Sequence, residues 1–380
     1  MKITNAKVFI DGKFNDVEVQ FDNEKIVRIG KDLPDDEVID AQGNYLYAGL
    51  IDCHNHGGWF RSFTYADSFD GWSYEEGIEY LAGKLPSCGV TTVFPTLAGT
   101  QYARIAESVR RIRKLRGKFA GTRIGDFQFE GVYPSLKRYM TAEAVNPSPQ
   151  HTDYLLDNDY SDVSLFHVSP DLPGSIEWCD YMVSKGVMPT VGNTEASAYD
   201  VFNAADHGLC QADHMFNGFK AMHHREPGAA AAVMYDDRIK AQLTCDGYHV
   251  DPVWVMILLK IKGINNVYGV SDMSDASGLP EGVHVVNGKT ITARDGFIFS
   301  PDGYITSGNM TLNQIMKAAR DRCGLTMEEV ATLYRENVAG CLNITDRGKI
   351  EVGRLSDLVI MDKDYEVIQT IISGKTVYQK

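Results

Sequence analysis

The chain has 380 residues, 44% hydrophobic and 23% charged, which suits a globular protein with room for one large barrel plus a small second unit. Its 37 basic and 51 acidic residues leave a net charge of −14, which argues against a general nucleic-acid binder. Seven scattered cysteines without a CxxC pair read as reduced thiols of a cytoplasmic protein, and no secretion signal or membrane-length apolar run is evident.

In chain order, short strands are predicted at residues 7–10, 17–21 and 25–29, with Asp11-Gly12 as a tight turn after the first. The other end looks alike, with strand-like runs at 356–361, 367–372 and 376–378. Residues 1–48 and 346–380 are therefore expected to form one small β-domain, flanking a larger unit at 49–345.

Within that larger unit, a run ending at His54 is followed by apolar runs at 89–94, 125–130, 163–168, 186–191, 212–215, 240–245 and 266–270. Helix-length segments separate them. Eight such alternations predict an α/β fold, a parallel (β/α)8 TIM-like barrel. A doubly wound open sheet is the alternative, but no G-x-G-x-x-G follows the first strand.

Barrel enzymes carry their chemistry at the C-terminal strand ends. Here those ends supply His54 and His56, Glu130, Asn193, His214 and Asp272. His54 and His56 are two apart on a strand, so both imidazoles point the same way. Singly, each residue has an ordinary reading: Glu130 a solvated loop residue, His214 a core histidine, Asp272 a helix cap. Together they predict a divalent cation, because buried charge without a partner is costly.

Four ordered blocks carry a family resemblance. They are Phe129-Glu130-Gly131; Asp213-His214-Met215-Phe216-Asn217-Gly218 with Arg225-Glu226-Pro227-Gly228; Asp246-Gly247-Tyr248-His249-Val250-Asp251; and Ser271-Asp272-Met273. Through them the chain resembles, nearly end to end, the N-acetylglucosamine-6-phosphate deacetylases of the amidohydrolase superfamily. The resemblance implies a barrel with a small β-sandwich domain formed by both termini, and hydrolysis of an N-acetyl group on an amino-sugar 6-phosphate. It implies Glu130 and His214 as metal ligands, His54 and His56 completing a second position, and Asp272 as general base. Arg225 and His249 would hold the sugar phosphate, Asn217 and Gly218 would line its pocket, and Arg225 would reach the neighbouring site of a homodimer. The implied cofactor is a divalent metal, zinc first, with Fe2+, Mn2+ or Co2+ as alternatives.

The chain also departs from the family pattern. Asn193 stands where a histidine ligand is expected, and an amide oxygen is a weaker donor to zinc-like ions. One tightly held ion is therefore expected at His54, His56, Glu130 and Asp272, with His214 a weak second-site ligand or a contact to water or substrate. Val132 and Val145 replace a family proline and a substrate-contacting histidine. Two other readings stay open: hydrolysis of a different amide or cyclic amide, and an inactive sugar-phosphate-binding relative. His167 reads as structural, and the aromatic stretch at 59–65 as either a lid or a packed loop.

Overall fold

The computed structural model describes residues 1–34, 37–65, 71–135, 142–286 and 289–380. Its centre is eight strands, each followed in the chain by a helix. They are β1 (Leu50–Asn55) with α1 (Tyr74–Lys84), β2 (Val90–Ala98) with α2 (Tyr102–Leu115), β3 (Phe127–Glu130) with α3 (Pro149–Leu156), and β4 (Val163–Val168) with α4 (Ser175–Ser184). Next come β5 (Met188–Val191) with α5 (Ala198–Asp206), β6 (Gln211–Ala212) with α6 (Gly228–Tyr235), β7 (Lys240–Leu243) with α7 (Pro252–Lys262), and β8 (Val267–Gly269) with α8 (Leu312–Asp321).

Each strand pairs in parallel with the next in chain order. The ring closes just past β8, where Met273 bridges in parallel to Asn55 and the Asp272 N–H donates to the His54 carbonyl at 3.0 Å. Ser271 Oγ adds a bond to the Asp52 carboxylate at 2.6 Å. The protein is thus the (β/α)8 barrel that the alternation predicts. β1 and β4 are buried along their whole length, as expected where helices cover the outside and side chains fill the middle. The helices supply amphipathic faces: in α2, Ile105, Val109 and Ile112 are buried while Arg110 and Lys114 face outward.

Several runs differ from their expected extents, and one difference bears on the site. β6 covers only Gln211–Ala212, and the chain then bends. Asp213 N–H still bonds the β5 carbonyl of Val191 and Met215 N–H the β7 carbonyl of Gln242, so the bend stays stitched between its neighbours. His214 sits in that bend.

The termini combine as expected. A four-stranded sheet (25–30, 18–22, 2–4, 38–40) faces a six-stranded one (375–379, 367–372, 358–361, 45–48, 7–10, 13–16). They share a core that includes Ile3, Val19, Phe21, Leu46, Leu358 and Ile371. Unexpected is a four-stranded antiparallel sheet between β8 and α8, formed by Gly282–Val286, Lys289–Arg294, Phe297–Phe299 and Ile305–Gly308. Its alternating Val283-His284-Val285 and Thr290-Ile291-Thr292 pattern and its Asp295-Gly296 turn are legible hairpin signals.

Candidate metal centre

The C-terminal mouth of the barrel gathers side chains from five strand ends. The period of two along β1 aims both imidazoles inward, leaving His54 Nε2 and His56 Nε2 3.3 Å apart. Glu130, the last residue of β3, bridges: its Oε2 lies 3.2 Å from His56 Nε2 and its Oε1 2.8 Å from His214 Nε2. Asp272 Oδ1 lies 3.5 Å from both His54 Nε2 and His56 Nε2. Two triplets, His54–Glu130–His214 and His54–His56–Asp272, each offer ligand atoms within 4.8 Å of one another. Asp272 and Asn193 both have left-handed backbone, with φ of 51° and 42°. Such strained positions in non-glycine residues cluster at functional sites.

Among known proteins, the amidohydrolase family profile matches residues 246–377. The N-acetylglucosamine-6-phosphate deacetylase of Bacillus subtilis (strain 168) is 25% identical over 99% of this chain and 93% of its own length. The Caenorhabditis elegans enzyme of the same name is 26% identical over 90% of this chain and 85% of its own. Among solved structures, the Pasteurella multocida N-acetylglucosamine-6-phosphate deacetylase superposes with a TM-score of 0.88 at 24% identity, covering 99% of this chain and 98% of that one. The chain is similar to the amidohydrolase family over residues 246–377 and to these deacetylases over nearly its whole length.

The donor set at the barrel mouth suits a divalent cation. Three imidazoles and two carboxylates pack at contact distance in a buried mouth, a combination of nitrogen and oxygen donors that zinc-like ions favour. Without a cation the charges compensate one another. Burial disfavours a charged His56, but hydrogen bonds to Asp272 and Glu130 raise it to about 10. Burial likewise opposes a charged His214, which Glu130 raises to about 9. For His54 burial wins and lowers it to about 4. Asp272, despite its burial, is held at about 2 by the neighbouring histidines, and Glu130 is held well below the usual range in the same way.

Asn193 is in this cluster as a donor: its Nδ2 gives a hydrogen bond to Glu130 Oε1 at 2.6 Å. Its Oδ1 is buried without a partner and points at Gly218, where a Cβ would come within 2.3 Å of it. Next to Gly218, the Asn217 Nδ2 is also buried and unpartnered. His249 is braced by Asp246 Oδ2 at 2.6 Å, which raises its pKa, and it lines the same small cavity as Asp272. Arg225 is not brought to the cluster. It sits on an exposed loop with its Nε donating to His224 Nε2 at 3.1 Å, and among the described residues no hydrogen bond or ion pair joins it to a candidate ligand.

His167 is structural. Its Nδ1 accepts from Gly131 N–H at 2.8 Å and its Nε2–H donates to the Gly192 carbonyl, tying the residue after Glu130 to the residue before Asn193. The aromatic stretch is largely packed: Phe63 is fully buried, and the Trp59 ring lies against Gly278 while its backbone N–H donates to the Ser277 carbonyl. Gln128, Asp213 and Gln242, which sequence reasoning passed over, form a buried polar layer under His54. Their one sequence signal is an amide or acid inside an otherwise apolar strand run.

Proposed function

We propose that this amidohydrolase removes the N-acetyl group from an amino-sugar 6-phosphate, with N-acetylglucosamine-6-phosphate as first candidate and acetate as the second product. The observation that carries this is the convergence of His54, His56, Glu130, His214 and Asp272 at one barrel mouth, in a chain similar over nearly its whole length to deacetylases of that name. The E. coli O157:H7 N-acetylgalactosamine-6-phosphate deacetylase, 23% identical over 89% of each chain, keeps the galacto epimer as a candidate.

His54, His56, Glu130 and Asp272 would hold one divalent ion, zinc first, with His214 toward a weaker second position; Asn193, whose nitrogen faces Glu130, contributes as a brace. When bound, the ion supplies Lewis acidity for the amide carbonyl and lowers the pKa of a water to about 7. Asp272 takes the proton of the attacking water as its oxygen bonds to the carbonyl carbon. It then returns that proton to the amine nitrogen as the C–N bond breaks. The Asp272 N–H bond to the His54 carbonyl keeps its carboxylate beside the imidazoles throughout. Asn217 Nδ2 and the Gly218 backbone supply neutral donors for the phosphate, and His249 a charged one. Arg225 suits the same phosphate through its planar fork, and its exposed position fits delivery to a second subunit of a homodimer.

We further propose that the residues 1–48 and 346–380 form one unit beside the 49–345 barrel, and that the protein works in the cytoplasm. Among the described residues no helix is long and apolar enough to cross a membrane. Val145, which stands where the family has a substrate-contacting histidine, favours one second reading, another amide or cyclic amide. Metal analysis of the purified protein combined with acetate release from N-acetylglucosamine-6-phosphate decides. A bound ion with turnover supports the proposal; a bound ion without turnover favours the other amide; sugar-phosphate binding with no ion identifies an inactive relative.

A further inference from the structure

Beneath the metal cluster the barrel interior holds four fully buried polar side chains in one line, from β1, β3, β7 and the bend after β6. His54 Nδ1 lies 2.6 Å from Gln242 Oε1. Gln242 Nε2 donates to Gln128 Oε1 at 3.2 Å, and Gln128 Nε2 donates to Asp213 Oδ1 at 3.3 Å.

The line has a direction. An amide whose nitrogen is engaged by Gln128 turns its oxygen to His54, and an oxygen only accepts, so Nδ1 carries the hydrogen. Gln128 Nε2 also lies 2.7 Å from Nδ1 and could donate there instead. That alternative would set a bare ring nitrogen against the Gln242 oxygen at 2.6 Å, two lone pairs facing each other. Head-to-tail donation, from Nδ1–H through two amides to Asp213, leaves no acceptor facing an acceptor. It sets Nδ1–H beside the Gln128 nitrogen at 2.7 Å, but that nitrogen is committed to Asp213 and the Gln242 oxygen at 2.6 Å is the nearer partner. His54 Nε2 is then the bare nitrogen, and it is the one turned toward His56 and Asp272.

We infer that Gln242, Gln128 and Asp213 are positioning residues, a relay that locks His54 in the Nδ1–H tautomer and so presents Nε2 to the cation. The inference rests on the metal reading above. Metal-binding histidines commonly give their second nitrogen to a carboxylate or carbonyl directly. Here the carboxylate stands two amides away. Apolar side chains would fill the same interior without the cost of satisfying four buried polar groups. The relay therefore has a role beyond packing.

The test uses the full chain. Ion affinity is measured by competition with a chelator for the parent, Gln242→Leu, Gln242→Glu and Asp213→Leu, with melting temperatures alongside. Gln242→Leu and Asp213→Leu are expected to bind the ion about 10- to 100-fold more weakly. Gln242→Glu keeps an acceptor on Nδ1 and is expected to stay close to the parent. Separately, NMR of the ion-free parent with 15N-labelled histidine is expected to show hydrogen on His54 Nδ1. Parent-like affinity in Gln242→Leu overturns the relay, as does equal weakening in Gln242→Glu, or hydrogen on Nε2 in the parent spectrum. A parent that takes up no ion removes the metal reading, while the NMR tautomer still decides the relay, with or without folded variants.

Discussion

Asn193 donates its amide hydrogen to Glu130 Oε1 at 2.6 Å, the same oxygen that lies 2.8 Å from His214 Nε2. A residue at the fifth strand end that would coordinate directly if it were histidine thus orients the bridging carboxylate instead. The mouth holds two triplets that share His54: one adds His56 and Asp272, the other Glu130 and His214, with one Glu130 oxygen also occupied by Asn193. Asn193→His is expected to raise the ion content from one equivalent toward two, read by elemental analysis after dialysis. Its left-handed backbone, φ 42°, is one that asparagine's short polar side chain stabilises locally, so a lower melting temperature should accompany the change. An unchanged ion content would mean that His214 does not face a second position.

Gly218 is the wall against which Asn193 rests. An added Cβ would meet Asn193 Oδ1 at 2.3 Å, and the φ of 71° at this glycine already disfavours a side chain. Gly218→Ala is therefore expected to destabilise the fold by roughly 1–3 kcal/mol, as overpacking does, and to push Asn193 off Glu130. Chemical denaturation gives the first quantity. The second shows as weaker ion retention in Gly218→Ala than in the parent.

The barrel was legible because its strand spacing is regular and each strand falls in a short run rich in apolar residues. The cluster of imidazoles and carboxylates was legible because such residues at several strand ends of one barrel have few structural uses taken together. Both depend on local pattern. What escaped depends on partners distant in the chain. Gln128 and Gln242 look like isolated polar residues until β3 and β7 are placed across the barrel from each other, where they bond at 3.2 Å. His214 was expected at a strand end, yet β6 stops at Ala212 because the bend is held by bonds to Val191 and Gln242 that no local rule foresees. The sheet at residues 282–308 carried hairpin signals, but a reading that counted eight strand-helix units had no place for it.

In the proposed function Asp272 both holds the cation and moves the proton, and the two roles separate by substitution. Asp272→Asn keeps an oxygen toward the imidazoles but cannot accept the proton of water. Acetate release should fall by about 10²- to 10⁴-fold or more. Binding of the sugar phosphate, measured by calorimetry, should persist, because the residues assigned to the phosphate lie elsewhere. A variant that keeps more than a tenth of parental turnover would move the base to another group.

Lys262 offers a pH test away from the mouth. Its Nζ is buried at the end of α6 and donates to the Val233 and Asp236 carbonyls at 2.6 and 2.8 Å. Burial lowers its pKa from 10.5 to about 8. A lysine depressed in the folded state binds fewer protons there than in the unfolded chain over that window. Stability contributed by this group therefore rises as pH climbs from about 8 toward about 10.5, at most about 1.4 kcal/mol per pH unit. Below about 8 the lysine is charged in both states and its contribution is flat. Lys262→Met removes the titration and leaves two carbonyls unpaired, at a cost of about 1–3 kcal/mol each. Denaturant midpoints of parent and Lys262→Met at pH 7, 8, 9 and 10 should diverge upward, with the parent gaining on the variant. Parallel curves would show that the ammonium reaches solvent in the folded protein.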